Sequence, residues 1–297
     1  MALRLDFKMK RSLLIFTFLL MSFLNSYSSE KKGIFKKIDI KILGGTTYNR
    51  IGDINLISRE WDERFEPFES FGRREGKIRE FHWSEEIEFE VLLKIKERWG
   101  FSVGSGYIKS GRDDFAKYYY SSSKAYRTGN FNTDVSSIPI KLSAYYSIPL
   151  SSRMLLYLKG GLGYYFTELK FFRKMEYKPE MASPEGFLKD IKVKGGKEGF
   201  HFGEGVSFKL GKNLDFIIEG EGRFLKIDNL KGQELKEEWE FEYHRKEINE
   251  GSLNYIEVNF GYYIWKDVLI GESFFKKRKA ILDLSGFSIK GGIKIKL

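Results

Sequence analysis

The run Asp283-Leu284-Ser285-Gly286-Phe287-Ser288-Ile289-Lys290-Gly291-Gly292-Ile293-Lys294-Ile295-Lys296-Leu297 reads as one strand that alternates to the last residue. Phe287, Ile289, Ile293, Ile295 and Leu297 share one parity, with Gly291 among them; Ser288, Lys290, Gly292, Lys294 and Lys296 share the other. Successive side chains of a strand point to opposite faces, so this strand has one apolar and one cationic face. An apolar outside around a polar inside is the pattern of a strand that closes a barrel in a membrane.

The other end of the chain supports export. Arg4, Lys8, Lys10 and Arg11 precede an apolar run from Leu13 to Leu24, followed by Ser26-Tyr27-Ser28, a small-x-small cleavage site. That is the layout of a secretory signal peptide. The run is short of the roughly 20 residues of a spanning helix. Residues 1–28 are therefore expected to be removed, leaving 29–297 as one domain in the bacterial outer membrane. Losing four basic residues and one acidic residue (Asp6) lowers the formal charge from +10 to +7. A basic exported chain meets acidic headgroups and lipopolysaccharide. Its lysines are spread along strands rather than clustered, which argues against nucleic acid. The chain has no Cys, which fits an oxidising compartment and excludes thiol catalysis, a cysteine metal site and a lipoprotein anchor.

Seven further segments alternate: 38–48, 86–96, 100–109, 137–148, 154–169, 200–210 and 214–227. With the last strand they make eight, each near the 9–11 or so residues that a tilted strand needs to cross a bilayer. Their connections alternate strictly. Residues 97–99, 149–153 and 211–213 are tight; 49–85, 110–136, 170–199 and 228–282 are long. Short inner turns and long outer loops are the order of an outer-membrane barrel with both termini in the periplasm. The expected fold is thus all-β: an antiparallel up-and-down transmembrane barrel of eight strands with four long extracellular loops and short periplasmic turns. Trp239–Tyr243 and Tyr255–Trp265 also alternate, leaving a ten-stranded alternative to an outer hairpin. The aromatic content of 16% suits interfacial girdles.

The inward parity collects charge. The candidate lumen network is Lys41, Glu88, Glu90, Lys94, Lys141 and Lys159, together with Lys209, Glu219, Glu221, Arg223, Lys290 and Lys294. An eight-stranded barrel is just wide enough for side chains, and charges held there must pair. The reading taken is a salt-bridged plug; a narrow, weakly anion-selective path is the alternative. Glu204 breaks the pattern by falling on the lipid parity among Phe202, Val206 and Phe208. An interfacial position or a bulge would account for it.

The three histidines, His82, His201 and His244, have no metal-ligand spacing. No metal or cofactor is expected, and no catalytic residue is assigned. His82-Trp83-Ser84, with Glu85 or Glu86 as the acid, is similar to the His-x-Ser pair of lipid A deacylases and leaves a lipid-modifying hydrolase as a minor alternative.

Two local patterns carry a family resemblance. Gly203 to Leu210, the turn Gly211-Lys212-Asn213 and Leu214 to Phe224 form a glycine-rich strand, a turn and an acidic strand. Asp283-Leu284-Ser285-Gly286-Phe287 leads into the terminal alternation. The mature chain resembles the small outer-membrane β-barrel superfamily, which includes the barrel domain of major outer-membrane protein A and the W-type porins. The usual terminal Phe is replaced by Leu297. The resemblance implies insertion by the barrel-assembly machinery, and a monomer is expected. It implies no single activity, because these barrels serve as porins, adhesins, enzymes and anchors. The expected role is non-enzymatic, structural or surface-interacting, with a porin-like channel as the alternative.

Overall fold

The computed structural model describes residues 37–63, 65, 72–121, 123–240, 243–256, 261–265 and 277–297; the expected signal peptide lies outside them. In chain order the elements are β1 (Lys37–Asn49), α1 (Asp53–Glu63), β2 (Arg73–Gly76), β3 (Trp83–Lys94), β4 (Trp99–Tyr119), β5 (Tyr126–Pro149), β6 (Met154–Lys178) and β7 (Glu185–Lys209). They continue with β8 (Leu214–Phe224), β9 (Lys226–Ile227), β10 (Lys231–Glu240), β11 (Tyr243–Ile256), β12 (Gly261–Trp265), β13 (Lys277–Lys279), β14 (Leu282–Asp283) and β15 (Gly286–Lys296). β1, β3 to β8 and β15 pair antiparallel, and β1 pairs with both β3 and β15, so these eight strands close a ring. The ten-stranded alternative fails. β10 and β11 form a hairpin that adds to the upper half of β7, outside the ring.

The long connections hold regular structure that the alternation did not reveal. β4, β5, β6 and β7 run 21, 24, 25 and 25 residues, about twice a bilayer crossing. Along each strand the parity is continuous but the chemistry inverts. On β5 the buried residues are Lys141, Ser143 and Ser147 below, and Val135 and Phe131 above. On β6 they include Tyr157 and Lys159 below, and Leu169 and Phe171 above, with Arg173 beyond them. Outward residues invert the other way: Leu162 and Phe166 give way to Lys170. A strand that leaves lipid for water must exchange its faces in this manner.

The upper half is closed by an apolar core around α1. Ile54, Ile57 and Trp61 lie on one helix face, at i, i+3 and i+7, and are buried. Trp61 packs on Phe131 and Phe187 at centroid distances of 5.6 and 5.8 Å. The Asn55 amide pairs with both backbone groups of Phe81, at 2.8 and 3.0 Å. Asp53 accepts the Ile281 N–H (2.8 Å) and pairs with Arg278. The corner between β1 and α1 has positive φ at Ile51 (64°) and Gly52 (69°). Ile51 is fully buried there, and a Cβ at Gly52 would meet the Ile281 carbonyl at 2.6 Å. Packing holds a β-branched residue in a region it otherwise avoids.

β7 belongs to two sheets. Residues 200–209 pair with β8, whereas residues 186–194 pair with β10. Gly195, Gly196 and Gly199 lie at the exchange, where the Asn229 side chain donates to the Gly196 carbonyl at 2.8 Å.

Glu204 lies neither at an interface nor at a bulge. The ladder from Met154↔Phe208 to Tyr177↔Glu185 is unbroken, and Glu204 faces outward opposite Leu158 and Gly220, midway along the apolar band. Replacing it with Leu should stabilise the barrel by about 1–2 kcal/mol, since a carboxylate facing lipid is unfavourable. Leu162→Arg on the same face should cost about 2–4 kcal/mol. Leu158→Arg should cost less, because the new guanidinium stands across the ladder from Glu204. Urea midpoints of the three variants refolded in vesicles check this order; equal costs for the two arginine variants would refute the register.

Candidate functional site

Five cations and five carboxylates fill the middle of the lumen. They are Lys41, Lys141, Lys159, Lys290 and Arg223 against Glu86, Glu88, Glu90, Glu219 and Glu221. Every side chain is 4% exposed or less. Two strands supply the acids: β3 carries Glu86, Glu88 and Glu90, and β8 carries Glu219 and Glu221. Between them in the ring stand β1 and β15, which carry Lys41 and Lys290. Lys141 and Lys159 reach over from β5 and β6 on the far wall.

Each cation bridges strands. Lys41 pairs with Glu90 (2.6 Å) and Glu219 (2.7 Å). Lys159 pairs with Glu219 (2.6 Å), Glu221 (2.8 Å) and Glu88 (3.4 Å). Lys141 pairs with Glu221 (2.6 Å), Glu88 (3.0 Å) and Glu86 (3.5 Å). Lys290 sits between Glu88, Glu221 (3.0 Å) and Glu219 (3.3 Å). Neutral groups take the remaining lone pairs: Tyr157 and Ser102 donate to Glu219 and Glu90 at 2.6 and 2.5 Å, and Thr47 donates to Glu86 at 2.6 Å. Above, Arg223 donates to the Leu284 carbonyl (3.0 Å) and to Asn49 (2.8 Å), and stands 3.7 Å from Glu86.

The other expected residues lie lower. Lys94 pairs with Asp39 (2.7 Å) and Lys294 with Asp215 (2.8 Å) at the inner mouth, beside a cavity of about 370 Å3. Lys209 is corrected: it is exposed at the rim, because β7 ends there and nothing remains to enclose it. Glu86, Asp39, Asp215 and Tyr157 are part of the arrangement although the candidate set omitted them; inward parity was the signal for all four.

Glu86, Glu88 and Glu221 bring carboxylate oxygens within 4.8 Å of one another, a spacing that suits a metal ion. Lys141 and Lys290 each contact all three acids and supply the positive charge instead. His82 and Ser84 both bond Asn49: His82 stacks on Tyr48 (4.9 Å), bonds the Asn49 backbone carbonyl (3.0 Å) and lies 3.5 Å from the Glu80 carboxylate, whereas the buried Ser84 hydroxyl accepts from the Asn49 side-chain amide (2.6 Å). His201 is buried against Ser143 at 2.7 Å.

Residues 82–237, just over half of the chain, match the family described as outer membrane protein beta-barrel domain. The chain belongs to this family. Its barrel is that of a bacterial outer-membrane protein, and the charged network is the interior of a membrane-embedded wall. Solved structures with a similar course include OprG from Pseudomonas aeruginosa (11% identity, TM-score 0.39, covering 88% of this chain and 95% of that one). The attachment invasion locus protein Ail of Yersinia pestis, in complex with the heparin analogue sucrose octasulfate, has 9% identity and a TM-score of 0.33, covering 87% and 99%. The outer membrane protease OmpT from Escherichia coli has 11% identity and a TM-score of 0.28, covering 91% and 99%. Similarity at this level carries nothing about activity. No curated protein matches the chain.

Above the membrane Lys189 is a further buried cation. It lies 3.5 Å from Glu234, and burial beside the Arg173 guanidinium pushes its ammonium down to about 7. An unfolded lysine titrates near 10.4 or so. Between about pH 7 and pH 10 the unfolded chain therefore holds a proton that native Lys189 lacks, and stability rises with pH across that window. Below pH 7 the penalty of charging the buried amine is complete. Lys189→Met should gain most over the parent at pH 6 and least at pH 10, measured as urea midpoints; a pH-independent difference would contradict it.

Proposed function

We propose that this protein is a non-enzymatic, structural outer-membrane barrel that conducts no solute and displays a rigid head of long hairpins at the cell surface. The observation that supports it is the matched lumen: five cations and five carboxylates in mutual contact, roofed by the apolar core around α1. A solvated path needs room for water around these groups; here they are held by each other and by neutral groups of the wall, Tyr157, Ser102, Thr47 and Asn49. A non-catalytic role is supported by the burial of the Ser84 hydroxyl against the Asn49 amide, with the His82 Nδ1 taken up by the Asn49 carbonyl. We take the barrel to work as a monomer, inserted by the barrel-assembly machinery, with membrane lipid and lipopolysaccharide as its lateral partners.

Glu219→Gln with Glu221→Gln tests the plug. The change removes acids contacted by Lys41, Lys141, Lys159 and Lys290, leaving buried ammonium groups under-paired. A loss of about 3–5 kcal/mol in urea unfolding is expected. The parent protein should be silent in a planar bilayer. Stepwise openings of the parent, or unchanged stability of the variant with altered ion selectivity, would establish a channel instead.

A further inference from the structure

We infer that the outward face of β6, β7 and β10, immediately above the apolar band, binds the phosphate groups of the outer-leaflet glycolipid. On this sector the band ends at Phe166, Phe200 and Phe224, all more than half exposed on the outer wall. Phe166 stands opposite Gly196. One pleat higher, about 7 Å along the strand, the register row is Glu168↔Lys194↔Lys231. The next is Lys170↔Lys192↔Gln233. Four lysines thus converge in two adjoining rows at the height where lipid gives way to water.

Their placement suits a doubly charged anion. Lys170, Lys192 and Lys194 lie 3.7, 3.7 and 3.6 Å from the one Glu168 carboxylate, so their ammonium groups are already gathered around a single anionic group. Their side chains are 51%, 53% and 61% exposed, free to turn outward, while Glu168 is only 20% exposed beneath them. At these distances and exposures the internal pairs are weak and an incoming phosphate competes well. Beside the cluster, Lys192, Lys194 and Lys231 border a concavity of about 580 Å3 whose floor includes Gly232 and Gly251, with room for a sugar-phosphate head. Three further carboxylates face the site: Asp134 opposite Lys170, Glu198 below the lysine rows opposite Tyr164, and Glu250, which lines the concavity and accepts from Gln233 at 2.6 Å.

The sector is particular. Two strands away at the same height, Lys109 stands opposite Glu85, and Gly111 and Asp113 follow it on the outward parity of β4. Charge there is matched or acidic. A phosphorylated glycolipid seated on the basic sector would lay its acyl chains over Phe166, Phe200 and Phe202 and its phosphates on the lysines. This inference rests on the outer-membrane placement and not on the closed lumen, so a conducting barrel would leave it standing.

The test uses the full mature chain refolded in neutral detergent micelles, with heat-dependent gel mobility confirming the fold of every variant. Binding of bisphosphorylated lipid A, of lipid A stripped of phosphate and of phosphatidylglycerol is followed by native mass spectrometry. Lys170→Gln, Lys192→Gln, Lys194→Gln and Lys231→Gln together should weaken bisphosphorylated lipid A at least about tenfold. Lys109→Gln with Lys117→Gln, both on the outward parity of β4, should leave it unchanged. Should the fourfold variant not fold, Lys192→Gln with Lys194→Gln should lose about threefold. Equal binding by the folded basic-sector variant, or an equal loss in the β4 variant, overturns the site. Equal binding of dephosphorylated lipid A overturns the role of phosphate, and equal binding of phosphatidylglycerol overturns the assignment to the glycolipid.

Discussion

A closed wall of eight strands gives an inward charge nowhere to go except to another inward charge. The ring is too narrow to hold bulk water around five ammonium or guanidinium groups and five carboxylates. Each must therefore be desolvated by the wall and compensated across it. Lys41 ties β1 to β3 and β8; Lys141 and Lys159 tie the far wall to acids on the same two strands. The network does not merely occupy the lumen. It links strands that share no backbone ladder, and it makes the strand register matter, because a slip by one residue would turn every one of these groups into lipid.

The same constraint explains the change of chemistry up the wall. Where lipid surrounds the ring, the outside must be apolar and the inside carries the charges. Where water surrounds it, the outside is solvated and the inside can build an ordinary hydrophobic core. α1 supplies that core with Ile54, Ile57 and Trp61, and the strands β4 to β7 wrap it; the β5–β6 and β6–β7 ladders run on without a break, and the β4–β5 ladder skips only Gly106 and Tyr107, which face Pro139 and Ile138. Ser137 and Thr167, bonded at 2.9 Å, stand between the two regimes on the inner face.

What was legible in sequence is what period two governs within lipid. Asp283 to Leu297 and the seven other alternating segments locate the ring, and parity alone brings Lys41, Glu88, Glu90, Lys141, Lys159, Glu219, Glu221 and Lys290 to one side of the wall. The extension of β4 to β7 was hidden because alternation reverses its polarity on leaving the membrane, so that Asp113, Lys170 or Lys192 reads as loop when it is outward strand. α1 was hidden because its apolar residues recur with a helical period inside a stretch read as a loop. Lys209 has the inward parity but stands at the last position of β7, where parity no longer implies enclosure. Glu204 shows the converse, since parity assigns its face correctly although its chemistry argues against it.

The double membership of β7 has a mechanical consequence. A pull on the outer β10–β11 hairpin is delivered to β7 through their shared ladder and runs down one continuous strand into the ring. There it meets the β6 ladder, paired from Met154↔Phe208 to Tyr177↔Glu185, along its length rather than at its end. Hydrogen bonds loaded this way resist together in shear, whereas at a hinged loop they would break singly, in succession. A surface hairpin mounted on such a strand transmits force to the cell envelope as a stiff lever.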